Sequence, residues 1–159
     1  PEELQALSDV ELTAFYVAQV ARRFDVVTGF TAHDDGDVFD LTMDACSQRI
    51  ESAEDEMQRR GVEVTALLGA YLEHPNPAVR LEAAKAVLST DTVTGLDVLD
   101  RLAMLRGNGM NWVAGPALMF ANHQRGVPKL TNPFPDHPHV QALPERLAAM
   151  ERDAQDNTQ

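Results

Sequence analysis

Positive charge, cysteine and long apolar runs are all scarce in this sequence. Lysine and arginine number 13 among 159 residues, against 25 aspartates and glutamates, a formal net charge of −12. Binding to nucleic-acid phosphates needs a basic footprint, so direct nucleic-acid recognition is not expected. The single Cys46 has no partner for an internal disulfide, which suits a reducing cytosol. No apolar run approaches the ~18 residues of a membrane span. Glu2 and Glu3 stand where an export signal would carry bases ahead of an apolar stretch. The expected location is therefore cytoplasmic, away from membranes. Alternating apolar and polar positions are missing at any useful length, so strands are not expected.

The signatures of catalysis are missing as well. The chain has no Gly-x-Ser-x-Gly elbow and no Glu-x-x-His of the kind that holds two metals in helical bundles. Glu73-His74 is the reverse of a His-Glu pair. Gly107 and Gly109 follow no strand and have no third glycine, so they do not make a dinucleotide loop. Asp34, Asp35, Asp37 and Asp40 supply oxygens for a hard cation, but no distal glutamate continues them into a calcium loop. His137 and His139 flank Pro138 without a further Cys or His nearby. The expectation is a protein with no enzyme activity, no metal and no cofactor.

Helical signals run through most of the chain. Hydrophobic residues make up 44% of it, enough for one globular domain with a real core. Ser8 and Glu11 have capping-box spacing, and Leu7 with Leu12 that of a hydrophobic staple, so a helix is expected from there to about Phe24. Residues 25–36 read as a loop. A long helix follows from about Asp37 to Arg60, burying Phe39, Met43, Cys46, Ile50, Ala53 and Met57 and ending at Gly61. Leu96, Leu99, Leu102, Ala103 and Leu105 mark another helix. A last one over about Asn111–Gln124 has Trp112, Leu118, Met119 and Ala121 as expected core, with Pro116 restarting or kinking it. Five prolines fall between Val127 and Pro144, the mark of an extended arm, before a short helix over about Leu143–Met150 and a polar tail.

The most informative stretch is Leu67 to Leu88. Val64, Leu67, Leu68, Tyr71 and Leu72 share one helical face, and His74-Pro75-Asn76-Pro77 breaks the chain. Asn76 is a good N-cap and Pro77 suits the first helical position. Val79, Ala83, Ala84, Val87 and Leu88 line the second arm of a tight hairpin. These residues, with the His-Pro-Asn-Pro-x-Val-Arg turn at His74–Arg80, resemble a single HEAT-type unit. The span from Leu7 to about Gly126 resembles a small bacterial HEAT-like domain of unknown function (family number two-zero-one-nine). That resemblance implies an all-α fold and a structural Arg80 tying the turn to a neighbouring helix. Some such small helical proteins look like immunity partners of bacterial toxins, an analogy at the level of fold.

Charge supplies the candidate site. Residues 1–60 hold 14 of the 25 acids and 5 of the 13 bases, so the acidity belongs mainly to the N-terminal part. Asp37, Asp40, Asp44, Glu51 and Asp55 fall at steps of three, four, seven and four, along one helical face. Asp34 and Asp35 extend the row into the preceding loop. Such a row is either a solvated face or a docking surface for a basic partner.

The sequence thus predicts an all-α, compact HEAT-like bundle of about five or six helices over residues 1–126. A proline-rich C-terminal arm, short helix and polar tail would occupy 127–159. Its expected function is non-catalytic protein binding, in specific form an acidic immunity protein neutralising a basic toxin domain. The alternative is a HEAT-like adaptor or self-associating structural module, and the sequence leaves the oligomeric state open.

Overall fold

Ser8 opens the first long helix as its spacing predicts. In the computed structural model, which describes residues 2–31, 34–61 and 65–127, the Ser8 amide donates to Glu11 Oε2 at 2.8 Å. The Glu11 amide donates to Ser8 Oγ at 3.3 Å in return, closing the capping box. Among the described residues six α-helices follow one another: α1 (Glu2–Gln5), α2 (Asp9–Gly29), α3 (Gly36–Arg60), α4 (Pro77–Val87), α5 (Thr92–Ala103) and α6 (Asn111–Gln124). A 3₁₀ helix, η1, covers Leu67–Tyr71, and no strand occurs among the described residues. The fold is all-α. Contacts within Pro1–Arg125 make these helices one unit. The proline-rich arm from 128 onward, the expected helix at 143–150, the polar tail, Val64, His33, His137 and His139 lie outside the described residues.

Helix α2 is longer than expected. It runs to Gly29, so 25–29 is helix rather than loop, and Arg22 and Arg23 sit before its last turn. The extra turn is held from outside. Asn108 Nδ2 donates to the Thr28 carbonyl at 3.2 Å. Gly109 takes φ 71°, and a Cβ there would lie 2.6 Å from Thr28 Cγ2. Only glycine permits both that backbone and that approach.

Helix α3 keeps nearly its expected bounds. Asp35 caps its start by accepting from the Asp37 and Val38 amides, and Gly61 ends it at φ 105°. Cys46, Ile50, Ala53 and Met57 are buried, with Phe39 and Met43 half-buried. Arg60, at its last turn, ties the N-terminus down. Its guanidinium donates to the carbonyls of Leu4 (2.9 Å), Gln5 (3.3 Å) and Leu7 (2.8 Å), to Asp9 Oδ1 (2.8 Å) and to Glu56 Oε1 (2.7 Å). The carbonyls that end α1 thereby gain partners that a one-turn helix cannot supply itself. Glu56, only 7% exposed, also accepts two bonds from Arg59.

Hydrogen bonds from Arg59 and Arg60 lower the Glu56 carboxyl from 4.5 to about 2. A folded value below the unfolded one contributes stability above pH 4.5, and that contribution is lost as pH falls toward 2. Glu56→Gln should therefore be less stable than wild type at neutral pH and show a flatter profile across that window. Thermal melts followed by circular dichroism at stepped pH check this. Parallel profiles for the two proteins would overturn it.

The hairpin at the sequence's most informative stretch forms, with one difference. Its first arm is 3₁₀ over Leu67–Tyr71, and of that arm only Leu68 is buried. A Cβ at Gly69 would sit 3.0 Å from Val87 Cγ1, so the arm lies tight against the end of α4. Asn76 caps α4 through the Ala78 amide and also donates to the Ala21 carbonyl and Asp25 Oδ1 on α2. His74 Nδ1 accepts from the Asn76 amide, a capping role. Arg80 donates to the His74 carbonyl and so braces the turn itself rather than a neighbouring helix.

The core has two clusters. Leu12, Tyr16, Val17 and Val20 of α2 pack with Ile50, Ala53 and Met57 of α3, Leu68 of η1 and Val79 of α4. Phe24, Leu81 and Ala84 pack with Val98, Leu99 and Leu102 of α5 and Val113, Ala117 and Ala121 of α6. Helix α6 continues through Pro116 and buries that small-residue stripe. Trp112, Leu118 and Met119, expected in the core, are instead 60%, 50% and 58% exposed; of the four, Ala121 alone is buried.

Candidate functional site

Every carboxylate of the expected row is exposed. Asp37, Asp40, Asp44, Glu51 and Asp55 stand along α3 on the side away from Cys46, Ile50, Ala53 and Met57. None forms an ion pair with a described residue. Asp34 and Asp35 differ from the other five because they serve the chain locally. Asp34 accepts from the Thr31 amide (2.6 Å) and hydroxyl (2.8 Å), and those bonds hold its carboxyl below the usual range. Asp35 is the N-cap. The row's free members therefore begin at Asp37.

Local chemistry explains why these five lack partners among the described residues. The bases of α3 are Arg49, Arg59 and Arg60. Arg59 and Arg60 are drawn to Glu56, which at 7% exposure is the buried acid of this helix. Arg49 stands on another flank, with Ala45, Cys46, Ser52 and Ala53 at its i±3 and i±4 positions. Unneutralised carboxylates at i, i+4 repel by a few tenths of a kcal/mol per pair. Packing of the opposite face keeps the helix formed.

A second group of polar residues was not anticipated from the sequence. Tyr16, 3% exposed, places its hydroxyl 2.9 Å from Glu54 Oε1 and 3.2 Å from Glu82 Oε2. Lys85 Nζ donates to the same Glu82 oxygen at 2.7 Å and stands 5.0 Å from the centre of the Phe120 ring. One phenol proton serves one carboxylate at a time, so Glu82 relies on Lys85 when Glu54 holds the phenol. Burial, with Glu82 and Glu54 adding their charge, pushes the phenol well above its ordinary value. These residues border an open cleft of about 290 Å³. Tyr16, Glu54, Glu82 and Lys85 partner one another and tie α2, α3 and α4 together.

Among the described residues no three His, Cys, Asp or Glu side chains converge to hold a metal ion. Among the same residues no helix is long and apolar enough to cross a membrane. Cys46 is 1% exposed within the core.

No curated protein and no solved structure matches the chain. Residues 42–119, a shorter span than Leu7 to Gly126 but one that contains the His74–Arg80 turn, match the family model described as Domain of unknown function (DUF2019), the family that the sequence resembles.

Proposed function

We propose that this protein is a non-catalytic docking domain that occupies a basic surface of a partner protein, through Asp37, Asp40, Asp44, Glu51 and Asp55. The observation that carries this reading is the row itself: five exposed carboxylates on one rigid helix, none neutralised by a described residue. A one-signed face of this kind raises encounter rates with an oppositely charged partner and repels the wrong ones. In its specific form the partner is a basic toxin domain in the cytoplasm and this chain is its immunity protein. Fast, charge-steered capture is what such an inhibitor needs.

A second reading, an adaptor or self-associating module, is favoured by α6. Asn111–Gln124 contains no Asp, Glu, Lys or Arg, and Trp112, Leu118 and Met119 are exposed on it. Salt separates the readings, because screening weakens charge-steered association and leaves apolar contact nearly unchanged. The test is capture from the source-cell lysate at low and at high salt. A single basic partner released by salt supports the docking reading. Recovery of the protein alone, or of nothing, at either salt overturns it in favour of the module.

A further inference from the structure

The flank of α3 next to the acidic row carries the opposite chemistry. Val38, Leu41, Ala45, Arg49 and Ser52 follow one another at helical spacing, about a third of a turn round from the carboxylates. Val38 is 59% and Leu41 70% exposed, an apolar pair with no cover among the described residues. Across from them, on α2, stand Arg22 and Phe15. Together these residues line two hollows of about 260 and 600 Å³, and Arg49 borders both. The hollows form a groove between α2 and α3 that is covered at one end only, by Leu4 of α1 and Leu7 of the turn that follows it. Gln19, one turn from both Phe15 and Arg22 on α2, is buried, and its Oε1 has no hydrogen-bond donor among the described residues.

The charge in this groove runs against the chain's excess of acid. Arg22 and Arg49 are exposed, and neither has an ion pair or hydrogen bond with a described residue. Both border the smaller hollow with Val38 and Leu41, and among the described residues Glu3, at the α1 end, is the only acid on either hollow. Two unengaged guanidiniums beside exposed aliphatic side chains match a partner that offers both a carboxylate and an apolar side chain. Length selects the partner's form. From Val38 to Ser52 the groove follows α3 for roughly 20 Å, about four turns of helix. We propose that this groove docks an acidic amphipathic helix of a partner protein, with its apolar stripe on Val38, Leu41 and Ala45 and its carboxylates on Arg22 and Arg49. This surface is independent of the acidic row and would give the domain two docking faces of opposite sign on one helix.

The test uses the 159-residue chain labelled with nitrogen-15. The probe is a synthetic helical peptide of about four turns, with leucines on one face flanked by glutamates. A matching peptide carries lysine in place of every glutamate. The glutamate peptide is expected to shift the amides of Val38, Leu41 and Ala45. Combining Arg22→Gln with Arg49→Gln should weaken it about tenfold or more, while circular dichroism shows the fold unchanged. The lysine peptide belongs to the acidic row and should shift Asp40, Asp44 and Glu51 instead, so the two surfaces succeed or fail separately. The proposal is overturned if the glutamate peptide leaves the groove amides unmoved, or binds the double variant as tightly as wild type. Shifts confined to Trp112, Leu118 and Met119 would overturn it too, assigning apolar capture to α6.

Discussion

Changing Asp40, Asp44 and Glu51 to lysine together is expected to abolish capture of the proposed basic partner while leaving the fold intact. The three residues are exposed and bond to no described side chain, so nothing in the core depends on them. Lysine is a better helix former than aspartate, and the lysine of Glu51→Lys would face Asp55 at i, i+4 as a favourable pair. Stability should therefore stay within about 0.5 kcal/mol of wild type or rise slightly. Binding behaves differently. Three changes of −1 to +1 move the net charge from −12 to −6 and reverse the sign at the middle of the row. If charge steers the encounter, the association rate should fall by roughly 10- to 1,000-fold at low salt. Most of that difference should vanish at high salt. Reversing Glu73 and Asp97, exposed on other parts of the fold, alters net charge without touching the row. That control should lose far less rate per charge. A triple variant that associates at the wild-type rate would exclude the row as the interface.

What could be read in the sequence was local, and what escaped it was set at long range. Capping at Ser8, Asn76 and Gly61 depends on residues within four positions, and each forms where spacing places it. The acidic row lies within one helix, so its periodicity alone put it on one face. The end of α2 depends on Asn108, 80 positions beyond Thr28, and on the Gly109 that follows it, and no pattern near Phe24 announces it. Tyr16, Glu54 and Glu82 meet across separations of 38 and 66 positions. Glu56 was open to a closer reading, since Arg59 and Arg60 stand three and four residues on, but it looks like one more surface acid beside Asp55. Helix α6 misled for a different reason. It is apolar nearly all round, so no polar face marks the outside. Close packing on α5 selected the narrow stripe Val113, Ala117 and Ala121, leaving the larger Trp112, Leu118 and Met119 outside.

Leu12→Ala and Leu99→Ala are each expected to destabilise the fold by about 2–5 kcal/mol, the range for emptying a fully buried leucine site. Both side chains are 0% exposed, yet they belong to different clusters: Leu12 to the α2–α3 cluster and Leu99 to the α5–α6 cluster. Helix α4 connects the two, with Val79 in the first, Leu81 and Ala84 in the second, and Ala78 packed against both. If that helix couples them, each variant shows one cooperative transition and the effects add within about 0.5 kcal/mol, as for sites without a shared partner. Two separated transitions, with Leu99→Ala lowering only one of them, would show instead that α2 and α3 hold together without α5 and α6. The distinction matters for the proposed docking because the acidic row stands on α3. In a single cooperative unit, loss of Leu99 removes docking at the same temperature as it removes α5 and α6. In a divided one, docking survives their melting. Recording partner binding and helix signal on one temperature ramp of Leu99→Ala decides between them, and coincident loss is the expected result.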